Sequence, residues 1–181
     1  DHHLFRKTYA HEGSAGVPLV LHVPGQTETG VSAAPVALQD LYPTFLDLAG
    51  APVPSTVEGR SLLPFTRAPG VAEWRPFVHG EHAACYDRDE AMQFLTDGRE
   101  KYVWYTVTGR EQLFHLEGDP AELFDLSAEP AYQERLELWR SRMVETLAPR
   151  EGDGLTDGHA LTPGIALPAV RPALLDASET P

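Results

Sequence analysis

The stretch from Ala91 to Leu116, AMQFLTDGREKYVWYTVTGREQLFHL, constrains this chain more than any other. Aromatic and β-branched residues alternate with polar ones over runs of strand length, which is the period of a pleated strand and not of a helix. Asp97-Gly98 and Thr108-Gly109-Arg110 break the alternation with hairpin chemistry, since glycine enters the left-handed backbone region that tight turns demand. Strands are therefore expected in Ala91 to Gly98, Lys101 to Gly109 and Glu111 to Leu116, and FVHGEH (Phe77 to His82) supplies a fourth. A small antiparallel meander is the natural outcome. Its open face needs a cover. PAYQERLELWRSRMVETL (Pro130 to Leu147) offers one, with Tyr132, Leu136, Trp139, Met143 and Leu147 on one helical face and Glu and Arg on the other.

The chain upstream of the meander has a different character. VPLVLHVPG (Val17 to Gly25) is a short apolar run stopped by Pro-Gly, and it reads as a buried strand in a sheet covered on both sides. LQDLYPTFLDLAG (Leu38 to Gly50) reads as a helix starting near Leu38, with Leu38, Leu41, Phe45 and Leu48 on one stripe. Pro43 is tolerable there within the first turn, and Gly50 is placed to stop the helix. Ala51 to Pro76 is a Pro- and Gly-rich connection containing EGRSLLP, and the chain from Arg150 onward reads as an extended tail. Three pieces result: residues 1–76, 77–149 and 150–181.

The chain has 181 residues, of which 42% are hydrophobic, enough for a real core. Its 27 acidic residues against 14 basic ones give a net charge of -13, which argues against a nucleic-acid partner. No run approaches the roughly 20 apolar residues of a membrane span, so no membrane partner is expected. Cys85 is the sole cysteine and excludes an internal disulfide or a multi-cysteine zinc site.

The opening DHHLFRKTYAHEGSAGVP invites a metal reading through His2, His3 and His11. Asp1, His2 and His3 are adjacent, however, so at most two of them can converge on one ion. Lys7 is more informative: it precedes the apolar run, and strand ends are where α/β sheets place ligands. Glu81 and His82 lie at another strand end, where structural hydrogen bonding is the plainer role. No Gly-rich phosphate loop or Ser-His-Asp grouping occurs. Cys-Tyr-Asp-Arg at Cys85 lacks the spacing of a formylglycine conversion motif.

Several segments together resemble the sulfatase family. KTYAHEGSAGVP is similar to its Lys-x-x-x-Tyr-Glu-Gly-Ser-x-Arg-x-Pro segment, and LQDLYPTFLDLAG to its Asp-Leu-x-Pro-Thr-x-Leu-Asp-Leu-Ala-Gly helix. EGRSLLP resembles its Asp-Gly-x-Ser-Leu-Leu-Pro loop. TDGREKYVWY and EQLFHLEGDPAELFDLS resemble its Lys-Tyr-Ile strand and Leu-Tyr-Asp-Leu-x-x-Asp-Pro-x-Glu-x-x-Asn-Leu signature. The motifs run in family order over about Asp1 to Leu147. His11 stands where Tyr is usual, and Gly16 where Arg is usual.

The resemblance implies an α/β fold: the end of an alkaline-phosphatase-like core, then a small antiparallel four-stranded sheet packed on a C-terminal helix. It implies sulfate ester hydrolysis by a formylglycine nucleophile beside a divalent cation, usually Ca2+. The nucleophile and the metal ligands are expected upstream of Asp1, with none in this chain, which is then expected to be inactive alone. Asp1-His2 is not the metal pair of the family, because the step to Lys7 is too short. Lys7 matches the lysine that holds the sulfate oxygens, and His3 and His82 are pocket candidates. The implied partner is a sulfated small molecule or sugar. Two alternatives stay open: a phosphate or phosphonate ester hydrolase of the same superfamily, and a non-catalytic binding module.

Overall fold

The computed structural model describes residues 2, 4, 8–26, 29–67, 73–84 and 87–168. The strands are β1 (Val78–His82), β2 (Met92–Thr96), β3 (Glu100–Tyr105) and β4 (Glu111–His115). The helices are α1 (Glu12–Ala15), α2 (Leu41–Leu48), α3 (Leu63–Arg67) and α4 (Gln133–Leu147). Two compact units form, one from Asp1–Val17 with His79–Pro181 and the other from Pro18–Val78.

The first unit is built on the expected meander, with strand order β1-β2-β3-β4. Met92 pairs with Tyr105 and Thr96 with Lys101 across β2–β3, while Glu100 pairs with His115 and Trp104 with Glu111 across β3–β4. Gly98 and Gly109 take φ of 85° and 73° in the two turns, as those turns require. The Asp97 carboxylate accepts the N–H groups of Arg99 and Glu100 and so closes the first turn.

Strand β3 is buried at every position, so the sheet is covered on both faces. Directly paired residues share a face. One face carries Met92, Phe94, Val103, Tyr105 and Phe114, with Tyr9 and Ala10 of the opening loop packed onto it. The other presents Leu95, Tyr102, Trp104 and Leu113 towards α4, whose Leu136, Trp139, Met143 and Leu147 are buried as the helical stripe requires. Glu100 anchors this layer: Arg135 grips its carboxylate and the Trp139 indole N–H donates to it at 2.8 Å. Burial raises the Glu100 pKa, but Arg135 and Trp139 outweigh that and hold it below the usual range. Gly80 is required on β1 because a Cβ there would sit 2.2 Å from the Phe94 ring.

The tail departs from expectation. Residues 151–165 are bound to the end of the sheet, with Leu155 1% exposed and Thr156 bridged to Leu161. Thr106 is the attachment point: its carbonyl accepts the Gly164 N–H at 2.9 Å, and its hydroxyl donates to the Ile165 carbonyl. Leu155, with the partly buried Leu161 and Ile165, gives the apolar reason for this, and hydrogen bonds to Thr106 and from Arg88 supply the rest. Residues 169–181 lie outside the described residues.

In the second unit a 3-10 turn at Leu38–Asp40 leads into α2, and Gly50 (φ 67°) follows its end. Asp40 is fully buried, accepting N–H groups from Ala37 and Arg60 at 2.8 Å each and pairing with Arg75. Thr44 donates to the Asp40 carbonyl and accepts the Leu62 N–H. Gly59 of EGRSLLP passes so close to Gln39 that a Cβ would lie 2.1 Å from its carbonyl oxygen. The connection also contains α3, a short helix that its Pro and Gly content concealed.

Two expectations fail in this part of the chain. Val17 to Gly25 is not a strand, and Val17 and Val20 are exposed. A buried strand needs partners on both edges, and the strands among the described residues are all members of the one meander. The α2 stripe is likewise not buried: Leu38, Phe45 and Leu48 are 63%, 61% and 47% exposed. The inward face of α2 belongs to Pro43 and Thr44, next to Asp40, because the Asp40–Arg75 network occupies that side.

Candidate functional site

The segment Thr8 to Ala15 packs on the sheet through an ionic cluster. Lys101 follows the strand alternation onto the face of Val103 and Tyr105, so its charge enters an apolar layer and is fully buried. Its Nζ donates to the Ala10 carbonyl at 2.6 Å and to Glu122 Oε1 at 2.9 Å, and pairs with Glu12 Oε1 at 2.6 Å. Three donors meet three acceptors, as a buried ammonium requires. Glu122 Oε2 accepts the Glu12 N–H at 2.5 Å and lies 3.5 Å from His11 Nδ1. Burial raises the Glu122 pKa, but His11, Lys101 and the Glu12 N–H bring it down to about 2.

Aromatic contacts complete the seat. The His11 ring stacks on His2 at 4.1 Å and meets Phe114 edge-on at 5.6 Å, and His2 Nε2 bonds the Ala121 carbonyl at 2.7 Å. Tyr9 donates its hydroxyl to Glu90, and that bond together with burial pushes its pKa up to about 12. A flat ring at position 11 thus makes both contacts, and histidine provides it.

Lys7 and His3 lie outside the described residues. His82 ends β1, partly buried, and its Nε2 is buried without a hydrogen-bond partner among the described residues. Its neighbour Glu81 pairs with Arg150 at 2.8 Å and accepts from Gln93, whose own carbonyl meets His79 at 2.7 Å.

A family model described as N-sulphoglucosamine sulphohydrolase, C-terminal, matches residues 1–148. The chain belongs to this sulfatase family. An arylsulfatase of Clostridium perfringens is 35% identical over 175 residues, covering 94% of this chain and 35% of that protein. A solved 2-O GAG sulfatase superposes with a TM-score of 0.56 at 29% identity, over 64% of this chain and 25% of that one. The phosphonate monoester hydrolase from Silicibacter pomeroyi gives 0.53 at 25% identity, over 61% of this chain and 24% of its own. The chain spans about a third of the length of the Clostridium relative.

Within this sulfatase C-terminal domain the described residues do not suit a calcium ion. No three His, Cys, Asp or Glu side chains among them are placed to share a metal. Glu12 and Glu122 are the convergent oxygens, and Lys101 already neutralises them. His2 and His11 are stacked ring on ring, so they do not converge on an ion. Lys101 and Glu122 are the lysine of the Lys-Tyr-Ile resemblance and the glutamate of the Asp-Pro-x-Glu resemblance, but the motifs do not show that the two side chains meet. One signal was available: Lys101 falls on the apolar phase of its strand, and a charge there demands a partner.

Proposed function

We propose that this chain is the C-terminal part of a sulfuric ester hydrolase in which Lys7 holds the oxygens of the sulfate group. The observation that carries this reading is the family match over residues 1–148, which includes Lys7 in the matching segment. A lysine ammonium there offsets negative charge on the sulfate and on the departing alkoxide. His3 and His82 are assigned to the wall of the pocket, as the resemblance implies. A formylglycine and a divalent cation such as Ca2+, both carried upstream of Asp1, would supply the nucleophile and charge neutralisation. The substrate class is a sulfated small molecule or sugar, in keeping with relatives that include an arylsulfatase and a 2-O GAG sulfatase.

Hydrolysis of 4-nitrophenyl sulfate by the complete polypeptide carrying this chain tests the reading. Lys7→Ala is expected to lower kcat about 100-fold or more, the scale of a lost oxyanion donor. The 181-residue chain alone is expected to give no turnover, and measurable hydrolysis by it would overturn the assignment of the nucleophile. The Silicibacter neighbour supports a second reading, a phosphonate monoester hydrolase. A phenyl phosphonate monoester turned over faster than the aryl sulfate would favour it.

A further inference from the structure

We propose that Lys101 and Glu122 are positioning residues that clamp the backbone of the loop following Lys7 and thereby fix where that lysine meets the sulfate. The inference rests on the reading of Lys7 given above. It adds a catalytic duty for the C-terminal sheet, far away in sequence.

The direction of the bonds carries the argument. Two of the three Lys101 partners, the Ala10 carbonyl and the Glu12 carboxylate, belong to the segment that begins three residues after Lys7. The third, Glu122, spends its second oxygen on the Glu12 N–H and the His11 ring. All these links therefore converge on Ala10, His11 and Glu12, from positions 91 and 110 residues away. Glu122 reaches them from a left-handed backbone (φ 54°), a conformation costly for a non-glycine residue. Burying a lysine is a poor route to stability, since an apolar side chain of similar volume commonly serves as well or better. An ammonium does what methionine cannot: it fixes a carbonyl and two carboxylates at defined points. Such a clamp suits a loop whose neighbouring cation must be placed to within a fraction of an ångström.

The test is a double-mutant cycle on the complete polypeptide with 4-nitrophenyl sulfate. Lys101→Met combined with Glu122→Gln removes the buried ammonium together with its buried carboxylate partner, leaving the Ala10 carbonyl and the Glu12 carboxylate without Nζ, and thermal unfolding checks that the sheet stays folded. This paired variant is expected to lower kcat about tenfold or more while changing KM less than threefold, as for displaced transition-state contacts. In a Lys7→Ala background the same pair is expected to change kcat less than twofold, because what it positions has gone. Met143→Ala, on the α4 side of the sheet, is the control that lowers stability and leaves kcat unchanged. Equal losses in both backgrounds, or an unchanged kcat when Lys7 is present, would overturn the proposal and leave the reading of Lys7 standing. A Lys7→Ala variant with undiminished kcat would overturn both.

Discussion

Glu122 concentrates the residue-scale physics of the domain. Its carboxyl is held at about 2 in the folded chain, against an ordinary glutamate value of 4.5. A depressed carboxylate contributes stability that is fully present above about 4.5 and is lost as pH falls towards 2. The contribution is at most about 3 kcal/mol, from the size of the shift. Urea unfolding of the chain at pH 7, 4 and 3 should therefore show a loss on acidification that Glu122→Gln reduces, the remainder coming from other lowered carboxyls such as Glu100. Parallel pH profiles for the two proteins would remove Glu122 from the account. Gly80 gives an independent residue-scale prediction. A methyl group there meets the Phe94 ring at 2.2 Å, so Gly80→Ala should cost about 1–3 kcal/mol by overpacking. Gly80→Ala with Phe94→Leu should recover part of that loss, read as the midpoint of denaturation.

At the scale of elements, legibility in the sequence followed whether an element is satisfied by local pattern. The meander and α4 could be read because their alternation and helical stripe are completed within residues 77–147. Residues 17–25 have the composition of a buried strand, yet a strand exists only through its neighbours, and none pairs with them among the described residues. The tail failed in the opposite sense: its Gly and Pro content hides Leu155, which is 1% exposed, and the Thr106 attachment. At the site, Lys7, Lys101 and Glu122 all fall in motifs, whereas the bonds that tie Lys101 and Glu122 to Ala10 and Glu12 span some 90–110 residues that no local window contains. The tail makes a prediction at this scale. Leu155→Ala should destabilise the sheet unit by about 2–4 kcal/mol, the range for a buried leucine. A chain ending at Arg150 should unfold at least as early, and equal thermal midpoints for the two chain lengths would count against a structural tail.

For the molecule as a whole, the decisive contrast is between a net charge of -13 and an apolar surface concentrated in one unit. Leu19, Val20, Leu38, Tyr42, Phe45 and Leu48 are all exposed there, with Val20 at 92%. Scattered exposed apolar residues are ordinary, but a set of this size within some 30 residues favours association. Charge repulsion opposes it and is screened by salt, with a Debye length near 10 Å at 0.1 M falling to about 3 Å at 1 M. The 181-residue chain should therefore remain dispersed in dilute buffer, bind a hydrophobic dye, and self-associate as salt is raised towards about 1 M. Val20→Ser with Phe45→Ser should cut dye binding and salt-induced scattering while shifting stability by no more than about 0.5 kcal/mol, as exposed sites do. A dye-silent chain that stays monomeric at high salt would mean that this apolar surface is covered in solution.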